Sequence, residues 1–253
     1  MITEPVLYLA TPVFGTHLTA QVNVNYHHTL LALAKSPQIQ FLPCCFATDI
    51  VRARSRLCRQ FLQETSGTHL LFWDADVTVP SPPQASRLIN HLIQADKDVV
   101  GCTYPLRRVS LAGAAKAAAE GRNPESGAYD YPLHTDWAAD ENRTVTNGCL
   151  KVAGLPLGFT LVKRACLETM TEHYAPTLTF DDEVDGKVTP TVALFQLLVE
   201  TKNGRRSLLG EDYSFATRWR AIGGEVNLYL GPDSDLIHVG AIPLHGSREG
   251  FFR

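Results

Sequence analysis

The chain has 253 residues, 45% of them hydrophobic and 19% charged, which is enough to bury a sizeable core and unlike a disordered or fibrous composition. A formal net charge of −3 supplies no attraction for nucleic acid, and no apolar run reaches the length of a membrane span. Six cysteines without a C-x-x-C pair, with Cys44 and Cys45 adjacent, point to neither a zinc site nor a disulfide framework.

Residues 6–10 form an apolar run that ends in Thr11-Pro12 and predicts a strand. Leu30, Leu31, Leu33 and Ala34 predict a helix over 25–35, stopped by Pro37. Residues 39–46 predict a second buried strand, leading into Asp49. Ala53, Leu57, Cys58, Phe61 and Leu62 fall at helical spacing over 51–65, and Gly67 closes that helix. His69-Leu70-Leu71-Phe72-Trp73 then runs without a polar break, as a strand buried on both faces requires. It ends abruptly in Asp74-Ala75-Asp76. Leu88, Ile89, Leu92 and Ile93 share one face of a helix over 83–95, and 99–104 predict a fourth strand. This alternation of strands and helices builds an α/β fold with a mainly parallel central sheet and helices on both faces.

From 105 to 151 the pattern dissolves. An alanine-rich stretch over 111–120 predicts a helix ended by Gly121-Arg122-Asn123-Pro124. Tyr129, Tyr131, His134 and Trp137 follow in polar surroundings. They would suit stacking on a sugar ring in a lid or binding loop, or act as plugs that hold the loop on the core. Order returns over 152–162, which contains Gly154, Gly158 and Phe159, and a helix follows over 163–173. Asp181, Asp182, Glu183, Asp185 and Gly186 read as an acidic turn, and 191–201 as either a strand or a short helix. Glu211-Asp212 opens a helix whose apolar face is Phe215, Ala216, Trp219 and Ile222. A last strand covers 226–230, and the tail carries Ile237-His238-Val239-Gly240. No repeat or linker divides the chain, so a single domain over 1–253 is expected.

Asp74 and Asp76 place two hard oxygen ligands at the carboxyl edge of a sheet, where open α/β folds bind ligands. That pair suits Mn²⁺ or Mg²⁺ carrying a phosphate-bearing substrate, although an acidic surface turn has the same spacing. Glu211 and Asp212 at a helix start are either a cap with its first-turn acid or a general base held as an anion by the helix N-terminus. His238 closes a short apolar run and is either a core histidine or a third metal ligand. Arg52 and Arg54 stand at another helix start and would seat a diphosphate. Asp49, just before them, would accept a hydrogen bond from a nucleobase or ribose. Arg56 and Arg59 share a face and would serve solvent or surface pairs.

In this order the motifs resemble those of the GT-A glycosyltransferases. Asp74-Ala75-Asp76 is similar to their D-x-D motif, Glu211-Asp212 to their x-E-D motif, and His238 in His-Val-Gly to their C-terminal metal-binding histidine. Arg52-Ala-Arg-Ser-Arg-Leu resembles the arginine-bearing helix start of small bacterial and viral members. Thr-Tyr-Pro-Leu-Arg at 103–107 and Leu157-Gly158-Phe159 add to the likeness, which is weakest over 108–151.

The resemblance implies one GT-A, Rossmann-like nucleotide-diphospho-sugar transferase domain, with 1–105 as the donor-binding half and 106–253 as the acceptor-binding and catalytic half. It implies Thr11, Asp49, Arg52, Arg54, Asp74 and Ala75 as donor-binding residues. Asp74, Asp76 and His238 would hold Mn²⁺ or Mg²⁺. Asp212 would be the base that deprotonates the acceptor hydroxyl, with Glu211 assisting in acceptor binding. A sugar would move from a nucleotide-diphosphate donor to a hydroxyl of a glycan, lipid-linked or protein acceptor, with inversion rather than the retention that a GT-A fold also hosts. Reduced cysteines, together with Glu4 and Pro12 in place of a leader's basic and apolar regions, imply a cytoplasmic setting, at most peripheral to a membrane. The alternative readings are a sugar-nucleotide nucleotidyltransferase and a non-catalytic nucleotide- or carbohydrate-binding module. The first would want a glycine-rich, lysine-bearing loop, which 11–20 lacks.

Overall fold

The protein is described by a computed structural model that covers residues 5–14, 24–42, 45–47, 49–133, 144–184, 186–202, 204–240 and 244–245. The first part of the chain gives β1 (Leu7–Ala10), β2 (Pro12–Phe14), α1 (Val24–Leu33), β3 (Ile39–Phe41), β4 (Cys45–Ala47), α2 (Ile50–Glu64), β5 (His69–Trp73), β6 (Val77–Thr78), α3 (Pro82–Gln94) and β7 (Val99–Gly101). Next come α4 (Leu111–Ala119), α5 (Pro124–Ala128), β8 (Cys149–Val152), β9 (Phe159–Lys163) and α6 (Arg164–Leu178). The chain then forms two hairpins, β10 (Thr179–Val184) with β11 (Lys187–Val192) and β12 (Val199–Lys202) with β13 (Arg205–Leu208). It ends with α7 (Glu211–Ala221), β14 (Val226–Tyr229), β15 (Ile237–His238) and β16 (Leu244–His245).

Among the described residues, seven strands make the central sheet in the order β3-β1-β5-β9-β7-β14-β8. β3, β1, β5, β7 and β14 run one way, and β9 and β8 run against them. The α/β class and the mainly parallel sheet are as the alternating sequence pattern requires. β5 lies near the middle, and Leu70, Leu71, Phe72 and Trp73 are all fully buried. Successive side chains point to opposite faces. Leu70 and Phe72 accordingly pack with Leu57 and Phe61 of α2, Leu167 and Met170 of α6, and Phe215 of α7. Leu71 and Trp73 pack on the other side with Leu88, Ile89 and Leu92 of α3 and with Tyr26 and Leu33 of α1. Among the described residues, no helix is long and apolar enough to cross a membrane.

Several local expectations change. The strand expected over 39–46 is two strands, β3 and β4, and β3 is the sheet edge, with Gln40 and Phe41 exposed rather than buried. The ordered stretch over 152–162 is also two strands, β8 and β9, separated by the turn that holds Gly154, Pro156 and Gly158. Of the acidic turn expected at 181–186, residues 181–184 instead belong to strand β10 of a hairpin, with Asp182 fully buried against arginines of α2 rather than solvated. The undecided stretch 191–201 is the end of β11, a turn and the start of β12. Within 105–151, α4 forms as expected, α5 adds a turn of helix, and Leu106 N–H and Ser110 N–H donate to Asp130 and Ala128 carbonyls.

Candidate active site

The site begins where β5 stops. Asp74 N–H donates to the Gly158 carbonyl at 3.0 Å, and Val77 N–H donates back to the Asp74 carbonyl at 3.0 Å, which turns the chain sharply through Ala75 and Asp76. Beyond the turn, β6 pairs antiparallel with β15, with Val77 opposite His238. Val239 N–H donates to the Asp76 carbonyl at 2.7 Å. Backbone pairing thus carries His238 from the tail to the end of β5.

His238 Nδ1 lies 2.8 Å from the Pro105 carbonyl, which only an N–H can satisfy. The proton therefore sits on Nδ1, and Nε2 presents a lone pair, the tautomer that a metal-binding imidazole needs. Nε2 stands 3.6 Å from Asp76 Oδ2 and accepts a hydrogen bond from Arg107 Nε at 2.9 Å. Arg107 Nη2 is paired with the same Asp76 oxygen. Burial, with the charge of Arg107 adding to it, holds the imidazole below its ordinary pKa despite the Pro105 carbonyl and Asp74, which pull the other way. The Tyr104 ring meets that of His238 edge-on, with centroids 4.9 Å apart.

On the other flank, α2 delivers Arg54. Its side chain is 3% exposed, lies over the Phe72 ring, and bridges two carboxylates: Nη2 to Asp74 Oδ2 at 3.0 Å and Nε to Glu211 Oε1 at 3.5 Å. Two buried atoms in this cluster, Arg54 Nη1 and Asp74 Oδ1, have no hydrogen-bond partner among the described residues. Such orphans are costly unless a ligand completes them. Asp212 lies beside Glu211 in the first turn of α7. Burial first, and then the Glu211 charge, push its carboxyl up to about 6, against the pull of the Tyr213 N–H and Arg54. Desolvation outweighs the helix N-terminus and raises this carboxyl, which still leaves it mostly ionised at neutral pH. Asp212 is also not the cap of α7: Gly210 is, and it supplies no side chain.

Asp74, Asp76, His238, Arg54, Glu211 and Asp212 are therefore gathered at one end of the sheet. The side chains of the other candidates have different partners. Arg52 turns away from Asp74 toward Asp182, Asp49 and the Phe180 ring, since residues two apart on a helix do not share a face. Asp49 caps α2, accepting from Arg52 N–H at 2.7 Å. The Thr11 hydroxyl is buried against Tyr26 Oη at 2.5 Å, and Ala75 packs against the core. Arg56 does not face solvent; it grips buried Asp182 with two bonds of 2.7 Å. His134 and Trp137 lie outside the described residues. Among the described residues, no three His, Cys, Asp or Glu side chains already converge as a metal cage; Asp74 Oδ2 is directed at Arg54.

Sequence reasoning passed over Tyr104 and gave Arg107 no role of its own. The signal for both was their place: Tyr104-Pro105 follows β7 off the carboxyl edge of the sheet, as Asp74 follows β5.

No family model matches the sequence, and no curated protein matches it. Solved structures do match in shape. The chain superposes on A197 from STIV with a TM-score of 0.51 at 14% identity, covering 96% of this chain and 94% of that one. GalNAc-T7, solved with UDP, GalNAc and Mn²⁺, gives a TM-score of 0.47 at 9% identity over 94% of this chain and 43% of that one. The mannosyltransferase PcManGT from Pyrobaculum calidifontis, in complex with GDP-Man and Mn²⁺, gives 0.35 at 12% identity over 66% and 46%. At these identities a likeness speaks to fold alone.

Proposed function

We propose that the protein is a glycosyltransferase that moves a sugar from a nucleoside-diphosphate donor to an acceptor hydroxyl, with a divalent cation, Mn²⁺ or Mg²⁺, at the end of β5. The observation that carries this reading is the convergence of Asp76 and His238 on one side of Asp74 and of Arg54, Glu211 and Asp212 on the other. The residues fit the cation. Among the described residues Asp74 Oδ1 is buried without a partner, and His238 Nε2 and Asp76 Oδ2, 3.6 Å apart, are both held by Arg107. Asp74, Asp76 and His238 would hold the ion, which when bound offsets charge on the departing diphosphate.

The chain's own groups supply the rest. Arg54, whose buried Nη1 has no partner among the described residues, would donate to a donor phosphate while fixing Asp74 and Glu211. Asp212, with a pKa near 6, is ionised at neutral pH yet still basic, the balance that proton removal demands. It takes the proton of the acceptor hydroxyl as that oxygen bonds to the anomeric carbon and the carbon–phosphate-oxygen bond breaks. A single base acting opposite the leaving group inverts that carbon.

The test is a panel of nucleotide sugars assayed for Mn²⁺-dependent turnover, to water or to added acceptors. Turnover that EDTA and Asp76→Ala abolish supports the reading. Full turnover in EDTA removes the cation from the mechanism. Nucleoside-diphosphate binding with no turnover of any donor replaces the enzyme with a binding module.

A further inference from the structure

Arg107 occupies the place at which the proposed cation would be coordinated. Its Nη2 is on Asp76 and its Nε donates to His238 Nε2 at 2.9 Å, so one guanidinium spans the two groups. Those two ligand atoms lie 3.6 Å apart, not far from the roughly 3 Å edge of an octahedron with bonds of about 2.1 Å. An imidazole nitrogen has a single lone pair in the ring plane. Arg107 N–H and a metal ion therefore cannot use His238 Nε2 together. The second ring nitrogen offers no alternative, because Nδ1 is committed to the Pro105 carbonyl. That carbonyl belongs to the turn that carries Arg107 itself, two residues on.

We propose that Arg107 and the divalent cation bind in exclusive alternation: the guanidinium holds Asp76 and His238 together in the metal-free protein and is expelled when the ion arrives. This deepens the metal-dependent reading above and rests on it. Arg107 is then a positioning residue. It keeps two ligands from separate parts of the chain facing one another, and it weakens metal binding by the strength of the contacts it must give up. Its side chain is about half exposed, so it can leave without unpacking the core.

The experiment measures binding of Mn²⁺ alone, without nucleotide, by the loss of the free-ion electron paramagnetic resonance signal. Wild type, Arg107→Gln, Arg107→Lys and the double variant Arg107→Gln/His238→Ala are compared, with a thermal melt of each to confirm folding. Arg107→Gln should bind Mn²⁺ about tenfold more tightly than wild type, the scale of one charge-assisted contact removed. Arg107→Lys should fall between, since an ammonium keeps the charge but not the fork. His238→Ala should cancel the gain. Equal or weaker binding by folded Arg107→Gln overturns the exchange and leaves the metal reading standing. No Mn²⁺ bound by any of the proteins overturns both.

Discussion

Arg54 and Asp74, twenty residues apart in the chain, meet at 3.0 Å, and the same guanidinium reaches Glu211 at 3.5 Å. The end of β5 and the start of α7 are thereby tied to one buried cation on α2. Removing one partner of such a pairing strands the others without compensation, at a cost of about 3 kcal/mol. Arg54→Met should lower stability by about that much, and Arg54→Lys by less. Urea denaturation at pH 7 measures it, and an unchanged midpoint for Arg54→Met would show that the pairing contributes nothing.

Asp212 carries a stability cost that depends on pH. Its folded pKa, about 6, stands above its ordinary 3.8. Well below pH 3.8 the group is protonated in the folded and unfolded chain alike and costs nothing. Between pH 4 and 6 the unfolded chain sheds its proton while the folded one keeps it, so stability falls, by about 3 kcal/mol in all at pH 7. Asp212→Asn escapes this loss and should be the more stable protein at pH 7, with the difference shrinking steadily as the pH falls to 4. The same variant should lose sugar transfer, and wild-type transfer should rise with pH about a midpoint near 6. Melting curves and rates across pH 4–8 check both.

Asp182 is fully buried in β10 and held by Arg56 through two 2.7 Å bonds, with Arg52 more distant. Arg56→Gln leaves that carboxylate without its main partner, for which a loss of about 3 kcal/mol is expected. Hydrogen exchange should quicken first across the β10–β11 hairpin. Uniform exchange across the molecule would mean that this pair does not anchor the hairpin.

Gly158 admits no side chain. A Cβ there would lie 2.4 Å from Tyr104 Oη and 3.0 Å from Asp74 Oδ2. Gly158→Ala must push the Tyr104 ring or the Asp74 carboxylate aside, at about 1–3 kcal/mol for an overpacked site. Mn²⁺ binding should weaken in a protein that still folds, and calorimetric titration with Mn²⁺ measures it. Unaltered affinity would place Asp74 outside the ion's reach.

Helices α2 and α3 were legible almost to the residue, expected over 51–65 and 83–95 and found at Ile50–Glu64 and Pro82–Gln94. Their apolar spacing is local, and Asp49 and Pro82 mark their starts. β5 was legible for the same reason. The hairpin β10–β11 was not, because its charged residues disfavour a strand until Arg56, 126 positions away, pairs with Asp182. Arg52 and Arg54 read alike as composition, and helix geometry separates them: one goes to the hairpin and the other to Asp74. The position of His238 depends on β15 pairing with β6, a contact between distant segments that no spacing reveals. The D-x-D pair could be read as carboxylates at a strand end. That Arg107 sits between Asp76 and His238 could not be read from spacing.

β9 runs between β5 and β7, bonded to both. Nascent chain that has passed only as far as β7 therefore holds two strands whose facing edges cannot join, each lined with unsatisfied amides and carbonyls. The sheet closes only after residue 163 has emerged and slid in antiparallel. A fragment ending near residue 105 should consequently aggregate or stay unstructured rather than fold, and synthesis of the intact chain passes through an interval in which those two raw edges need shielding.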